Sequence, residues 1–156
     1  MSAPIATMID ARPSVSDSPA SLPQTLVTPF TRQMTALLTT FRRDGTPVGT
    51  PINPVVEGDH IYFRTWNTTG KLKRIRNNPL VTLAPSTVRG RPTGPAIRAR
   101  ARVLEDAEAR HTARLLGGKF PIIHSWLIPL GHRLSGKKTV HLELTPIGLE
   151  GVATSL

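Results

Sequence analysis

Residues 60–77, HIYFRTWNTTGKLKRIRN, predict a β-strand that runs directly into a short helix. The strand part, 60–66, is rich in aromatic and β-branched side chains, which favour extended structure. Asn67-Thr68-Thr69 offers N-cap side chains to a helix over Gly70–Asn77. The helix is expected to end there because Asn78 precedes Pro79, and a residue before proline avoids helical backbone angles.

Five further runs predict strands around this unit, at 34–41, 48–56, 80–84, 96–104 and 139–145. Asp44-Gly45 between the first two is a typical hairpin turn. Pro51 and Pro54 cannot donate ladder hydrogen bonds, so the second run is expected at a sheet edge or an interruption. The first three strands are expected to form a meander. Together, six antiparallel strands with a few peripheral helices predict a mainly β (α+β) fold and a small closed barrel.

A second helix is predicted over 107–116, with Asp106 as its cap and Gly117-Gly118 as its end. The strand before it alternates strictly, which places Arg98, Arg100 and Arg102 on one face and small apolar residues on the other. Residues 120–134 are ambiguous and fit one or two short helices.

The length of 156 residues is enough for one hydrophobic core. We expect a flexible N-terminal leader over 1–29, one domain over 30–150 and a short tail over 151–156. The absence of cysteine excludes disulfides, thiolate nucleophiles and cysteine-ligated metals. No stretch approaches the ~20 apolar residues of a membrane span, and the first residues do not resemble a secretory signal. A cytoplasmic protein is the default expectation.

The formal net charge of +10 belongs to one central segment. No acidic residue lies between Asp59 and Glu105, and outside this segment the basic and acidic residues balance. The segment contains the basic residues Arg64, Lys71, Lys73, Arg74, Arg76, Arg89, Arg91, Arg98, Arg100 and Arg102. It therefore predicts either a solvated basic surface or a surface that binds an anionic partner.

The start of the first helix has the chemistry of a phosphate site. A helix N-terminus presents free N–H groups and a partial positive charge. The hydroxyls of Thr65, Thr68 and Thr69 add donors, and Lys71 and Arg74 add full charges. The alternative is an N-capped surface helix with a solvated basic face.

No catalytic or metal-ligating pattern stands out in the sequence. The five histidines, at 60, 111, 124, 132 and 141, show no ligand spacing and have no carboxylate cluster beside them. There is no G-x-S-x-G elbow, Walker loop or G-x-G-x-x-G fingerprint. We therefore assign no catalytic residue and no metal site.

The order of several short motifs resembles the pyridoxamine 5'-phosphate oxidase-like split β-barrel superfamily, and most closely its actinobacterial branch that uses the deazaflavin coenzyme F420. The motifs are Ala36-Leu37-Leu38-Thr39-Thr40, Asp44-Gly45-Thr46-Pro47, Thr50-Pro51-Ile52, Ile61-Tyr62-Phe63-Arg64-Thr65, Thr69-Gly70-Lys71, Arg74 to Pro79 and Val81-Thr82-Leu83. The resemblance covers about residues 30–146 and implies a split barrel of the FMN-binding type.

The resemblance also implies a homodimer with a cofactor in each of two clefts at the interface. Thr50, Pro51 and Ile52 would then lie along the cofactor ring. The phosphate would be held by Thr65, Thr69, Gly70 and Lys71, assisted by Arg64 and Arg74. The implied activity is that of an F420-dependent oxidoreductase, in which the reduced deazaflavin passes a hydride to a small organic electrophile. Candidates to line the substrate pocket are Trp66, Phe120, His124 and Trp126, each of which also suits a core position.

The charge favours F420 over FMN, because a polyglutamate tail matches the additional arginines better than a single phosphate does. Other interpretations stay open: an FMN-dependent oxidoreductase, a non-catalytic carrier of flavin or tetrapyrrole, and a basic nucleic-acid-binding barrel. Nucleic-acid barrels interleave aromatic and basic residues. Here aromatics are 4% of the chain, and none lies among the later arginines, which argues against that last class.

Overall fold

Seven antiparallel strands form one sheet in the computed structural model, which describes residues 22–120 and 138–149. The strands are β1 (Ala36–Phe41), β2 (Pro47–Ile52), β3 (Val55–Glu57), β4 (His60–Trp66), β5 (Leu80–Pro85), β6 (Ile97–Leu104) and β7 (Thr139–Leu149). The helices of these residues are α1 (Leu22–Val27), α2 (Gly70–Asn77) and α3 (Asp106–Lys119), with a 3-10 turn at Thr28–Phe30. None of these helices has both the length and the apolar character needed to cross a membrane.

The order of the strands explains why the sheet curls. It runs β2-β1-β5-β6-β7-β4-β3, so β2 and β3 are the two edges. Only Asn53 and Pro54 join these edges, and three peptide steps from Ile52 to Val55 span at most about 11 Å. The edges therefore meet at this corner through the chain rather than through ladder hydrogen bonds. This confirms the mainly β split barrel that the resemblance implies, whereas the closed barrel expected from the strand pattern is wrong because β2 and β3 do not pair.

The expected second strand and meander are wrong in detail, and the strand count is seven rather than six. The run 48–56 is divided, since β2 pairs with β1 while β3 pairs with β4. Pro54 lies at the division and cannot donate to a ladder. Asn53 Nδ2 donates to the carbonyl of Met34 at 2.8 Å, and Lys119 Nζ donates to the carbonyl of Pro54 at 2.6 Å. These two contacts hold the corner, and the predicted edge position of the prolines is confirmed.

The inner face of the curled sheet contains the main core. Strand residues such as Leu38, Phe63 and Leu142 are fully buried, and α2 inserts Leu72 and Ile75 between them. The alternation predicted for β6 is confirmed, because its alanines face the core and its arginines are exposed. Burial of this apolar surface fixes which face of each strand looks outward.

Part of the expected leader belongs to the folded domain. Residues 22–30 form α1 and the 3-10 turn, and they bury Leu26, Val27 and Phe30 in the core. The expectation of a flexible segment is therefore wrong for residues 22–29, where Leu, Val and Phe supply an apolar face. Residues 1–21 and 150–156 lie outside the described residues.

The bounds of α2 agree with the prediction, whereas those of α3 differ from it. α3 begins at Asp106, whose φ is +50°, and Glu105 rather than Asp106 is its N-cap, without a side-chain hydrogen bond. Gly117-Gly118 do not end α3, because burial of Leu116 and Phe120 carries it to Lys119. β7 extends past the predicted end at residue 145, and the ambiguous run 121–134 lies outside the described residues.

Candidate functional site

The N-terminus of α2 carries no side-chain cap. Thr69 occupies the N-cap position, but its Oγ1 donates to the carbonyl of Trp66 at 3.0 Å. The 3.0 Å contact between the hydroxyls of Thr65 and Thr69 is therefore donated by Thr65. Asn67 Oδ1 accepts from the backbone N–H of Lys138 at 3.1 Å. The predicted side-chain cap is thus wrong, and the N–H groups of the first turn are left for another acceptor.

Arg74 folds back along α2 to its first residue. Its Nε donates to Thr40 Oγ1 of β1 at 2.7 Å, which anchors the guanidinium to the barrel. A Cβ built on Gly70 would lie 2.8 Å from Arg74 Nη1. The absence of a side chain at Gly70 therefore makes room for the guanidinium at the helix N-terminus. Thr40 was not found from sequence, although it shares the inward parity of Ala36 and Leu38.

Lys71 is a partly buried cation beside a second cation. Burial, and then the positive charge of Arg74, lower the pKa of Lys71 from its usual value. No carboxylate within residues 22–120 and 138–149 forms an ion pair with it. A desolvated ammonium without a counter-ion is costly, so this position favours an anionic partner.

Arg64 lies on the opposite face of β4 from Thr65, because successive residues of a strand alternate. It is opposite His141 of β7, and burial lowers its pKa to about 10. The structure therefore brings together Thr65, Thr69, Gly70, Lys71 and Arg74, and separates Arg64 from them.

Thr50, Pro51 and Ile52 lie on edge strand β2. Ile52 is buried, Thr50 is half-buried and Pro51 is exposed. A Cβ on Gly90, which has a φ of +84°, would lie 3.1 Å from Pro51 Cγ. The β5–β6 loop therefore packs on β2, and it brings Arg89 and Arg91, on either side of Gly90, to this edge.

The arginines of the basic segment differ in whether a carboxylate compensates their charge. Arg102 forms ion pairs with Glu108 at 2.7 Å and Glu143 at 3.2 Å, so its charge is compensated. Arg98 and Arg100 are exposed on the outer face of β6, as are Arg89 and Arg91 in the preceding loop. These four arginines remain available to a polyanion.

Two histidines pair with neighbouring carboxylates. His60 Nδ1 is 2.6 Å from Asp59 Oδ1, and His111 Nε2 is 2.7 Å from Glu57 Oε1. In the described part of the chain, no three of His, Asp and Glu cluster as a metal site requires.

Of the substrate-pocket candidates, Phe120 is buried with Val55 and Leu116, and Trp66 is half-buried at the end of β4. His124 and Trp126 lie outside the described residues.

The curled sheet with an uncapped, cationic helix start defines a split-barrel protein with a positively charged corner. The family model for pyridoxamine 5'-phosphate oxidase matches residues 22–147. The chain therefore belongs to the pyridoxamine 5'-phosphate oxidase family. The match begins at α1, in agreement with its packing into the core.

Solved structures share this fold at low sequence identity. General Stress Protein 26 from Bacillus anthracis str. Sterne is 22% identical, with a TM-score of 0.55, over 80% of this chain and 88% of that one. HutZ, a heme storage protein from Vibrio cholerae, is 16% identical, with a TM-score of 0.60, over 79% and 89%. An F420 reductase is 18% identical, with a TM-score of 0.51, over 85% and 98%. No curated protein matches the sequence.

Proposed function

We propose that this protein is an oxidoreductase that binds the deazaflavin coenzyme F420, with the cofactor phosphate at the N-terminus of α2. The observation that carries the proposal is Lys71, a desolvated ammonium beside Arg74 with no carboxylate partner among the described residues. A phosphate group at this position would compensate both cations and accept the uncapped N–H groups.

The residues at this corner fit a phosphate. Gly70 leaves the space in which the Arg74 guanidinium reaches the helix start, and Thr40 fixes its direction. The Thr65 hydroxyl contacts the Thr69 hydroxyl, which donates to the carbonyl of Trp66. Neither hydroxyl caps α2, so both could rotate toward a phosphate oxygen without breaking a cap hydrogen bond. Thr50, Pro51 and Ile52 would contact the ring along the edge strand β2. Arg64 lies on the other face of β4 and is not included in the proposed phosphate site.

The cofactor, when bound, supplies the hydride chemistry. The chain would contribute binding, orientation and exclusion of water. No strand of the described residues pairs with the outer edge of β2, so its backbone groups could hydrogen-bond to the ring. No protein nucleophile is needed for this reaction class, so we assign no catalytic residue.

The distribution of positive charge supports F420 rather than FMN. A single phosphate is satisfied by the two or three donors around Lys71. Arg89 and Arg91 lie next to β2, and Arg98 and Arg100 continue the exposed charge along β6. These arginines have no part in holding one phosphate and match an extended polyglutamate tail. We further propose that the protein is a cytoplasmic homodimer with a cofactor at each interface cleft.

The proposal is tested by titrating F420 with the purified protein and following the coenzyme fluorescence. We expect saturable quenching or a spectral shift at micromolar protein, and affinity that falls as glutamates are removed from the tail. Equal affinity for FMN, or no change in F420 fluorescence, would contradict the cofactor assignment. Binding without substrate reduction would instead favour a carrier.

Replacing Gly70 with alanine is expected to weaken F420 binding without destabilising the protein. The new methyl group must displace the Arg74 guanidinium, which costs about 1–1.5 kcal/mol of binding, or fivefold to tenfold in affinity. Alanine favours a helix over glycine, so the unfolding temperature should stay level or rise. Gly118→Ala, where a Cβ meets nothing within 4 Å, is the matched control in both measurements.

A further inference from the structure

A cavity of about 270 Å³ lies between α3 and the outer face of the sheet, away from α2. It is lined by Tyr62, Leu104, Ala107, Glu108, His111 and Thr112. Leu104 and Ala107 give it apolar walls, whereas the phenol, carboxylate and imidazole give it polar groups. This combination of apolar walls and a few convergent polar groups is typical of small-molecule sites.

The surroundings of the cavity are acidic in an otherwise basic protein. Glu108 lines the cavity, and the other described carboxylates except Asp44 lie on β3, the turn after it, the start of α3 or β7. Arg102 is shared between Glu108 and Glu143, and Glu57 contacts His111. One arginine therefore compensates two carboxylates, which leaves a net negative charge beside the cavity.

The pKa of Tyr62 is raised by burial and by the carboxylates near the cavity. Its hydroxyl donates to Glu143 Oε2 at 3.2 Å. Burial first, and then the negative charges of Glu143 and Glu57, raise the pKa of Tyr62 to about 12, against the smaller opposing effect of Arg102. Burial disfavours a charge of either sign at this place, whereas the two carboxylates favour a positive charge over a negative one.

One wall of the cavity contains an unsatisfied polar group. Thr112 is fully buried, and its Oγ1 makes no hydrogen bond with any residue in the described ranges. A buried hydroxyl without a partner is costly, and native proteins seldom retain one without a reason. A polar group of a bound ligand would satisfy it.

From the cavity, its carboxylate surroundings and the unsatisfied Thr112 hydroxyl, we infer that this site binds a small organic cation, an ammonium group on a compact apolar body. A volume of about 270 Å³ equals roughly nine waters at ~30 Å³ each, so the ligand has on the order of ten non-hydrogen atoms. The inference is independent of the cofactor proposal, because the site shares no residue with the α2 corner.

Binding is tested with three probes of similar size, 2-phenylethylamine, 2-phenylethanol and phenylacetate, by amide chemical-shift mapping of the full-length protein. For the amine we expect a dissociation constant on the order of 1–10 mM and shifts centred on Ala107, His111 and Thr112. The alcohol should bind more weakly and phenylacetate weakest. No shifts at these residues with the amine, or equal binding of phenylacetate, would overturn the inference.

Two variants separate a ligand site from a merely structural cluster. Glu108→Gln should weaken amine binding at least fivefold, whereas Glu105→Gln, the same charge change at an exposed residue outside the cavity, should not. Thr112→Val removes a hydroxyl that has no hydrogen-bond partner within residues 22–120 and 138–149, so the unfolding temperature should not fall while amine affinity drops about threefold or more. Unchanged amine affinity in both Glu108→Gln and Thr112→Val would refute the site.

Discussion

Replacing Lys71 with methionine is expected to weaken F420 binding by about 1.5–3 kcal/mol, a factor of roughly 10 to 150 in the dissociation constant. The ammonium lies at the start of α2, where burial first, and then the positive charge of Arg74, lower its pKa. A bound phosphate would compensate the positive charges of both side chains. Methionine keeps the apolar stem and removes only the charge. Fluorescence titration of F420 measures the change.

The same substitution should leave the cofactor-free protein equally stable or more stable. Burial and Arg74 both disfavour the charged form of Lys71, so its removal relieves an electrostatic penalty rather than breaking an ion pair. Lys73→Met, an exposed position on the same helix, is the matched control and should change neither property. A Lys71→Met variant that binds F420 as tightly as the wild type would return α2 to the interpretation of a solvated basic helix.

Local patterns in the sequence were sufficient for the elements that are half-buried. The strict alternation in β6 predicted which of its residues are buried. Gly70 at the start of α2 and Pro79 after its end predicted its bounds correctly. In both cases one face contacts the core and the other contacts solvent. The pattern is then contained in a few consecutive residues and does not depend on distant contacts.

Features that depend on distant residues could not be predicted. The corner at Pro54 is held by Lys119, 65 residues later. The charge of Arg102 is compensated by Glu108 and Glu143, the second of which is 41 residues away. No local pattern contains these contacts. The predicted second strand was therefore too long, and the predicted uncompensated positive charge was too large.

The candidate site was partly predictable. Thr65, Thr69, Gly70, Lys71 and Arg74 lie together because they follow one another from a strand end into a helix start. The separation of Arg64 from Thr65 follows from strand alternation and was available from the sequence. The approach of the β5–β6 loop to Pro51 was not, because a loop has no periodicity that places it. The roles of all these residues in holding a cofactor stay predictions.

Replacing Phe30 with alanine is expected to reduce the free energy of unfolding by about 3–5 kcal/mol. The side chain is fully buried in the main core cluster together with Leu26 and Val27. The preceding helix α1 packs on β4 and β7, so alanine would leave a cavity in the core of the sheet. Chemical denaturation measures the loss, which is a large part of the 5–15 kcal/mol available to a typical domain.

Two further variants decide whether residues 22–30 are integral to the barrel. Phe63→Ala removes an equally buried ring from β4, and we expect a loss of similar size. Thr31→Ala changes an exposed residue directly after the 3-10 turn and should alter stability by less than about 0.5 kcal/mol. A loss below ~1 kcal/mol for Phe30→Ala, with the full loss for Phe63→Ala, would mean that this segment is a detachable leader. Equal losses would mean that residues 22–30 are integral to the barrel, because Phe30 then contributes to the same cooperative unit as the strands.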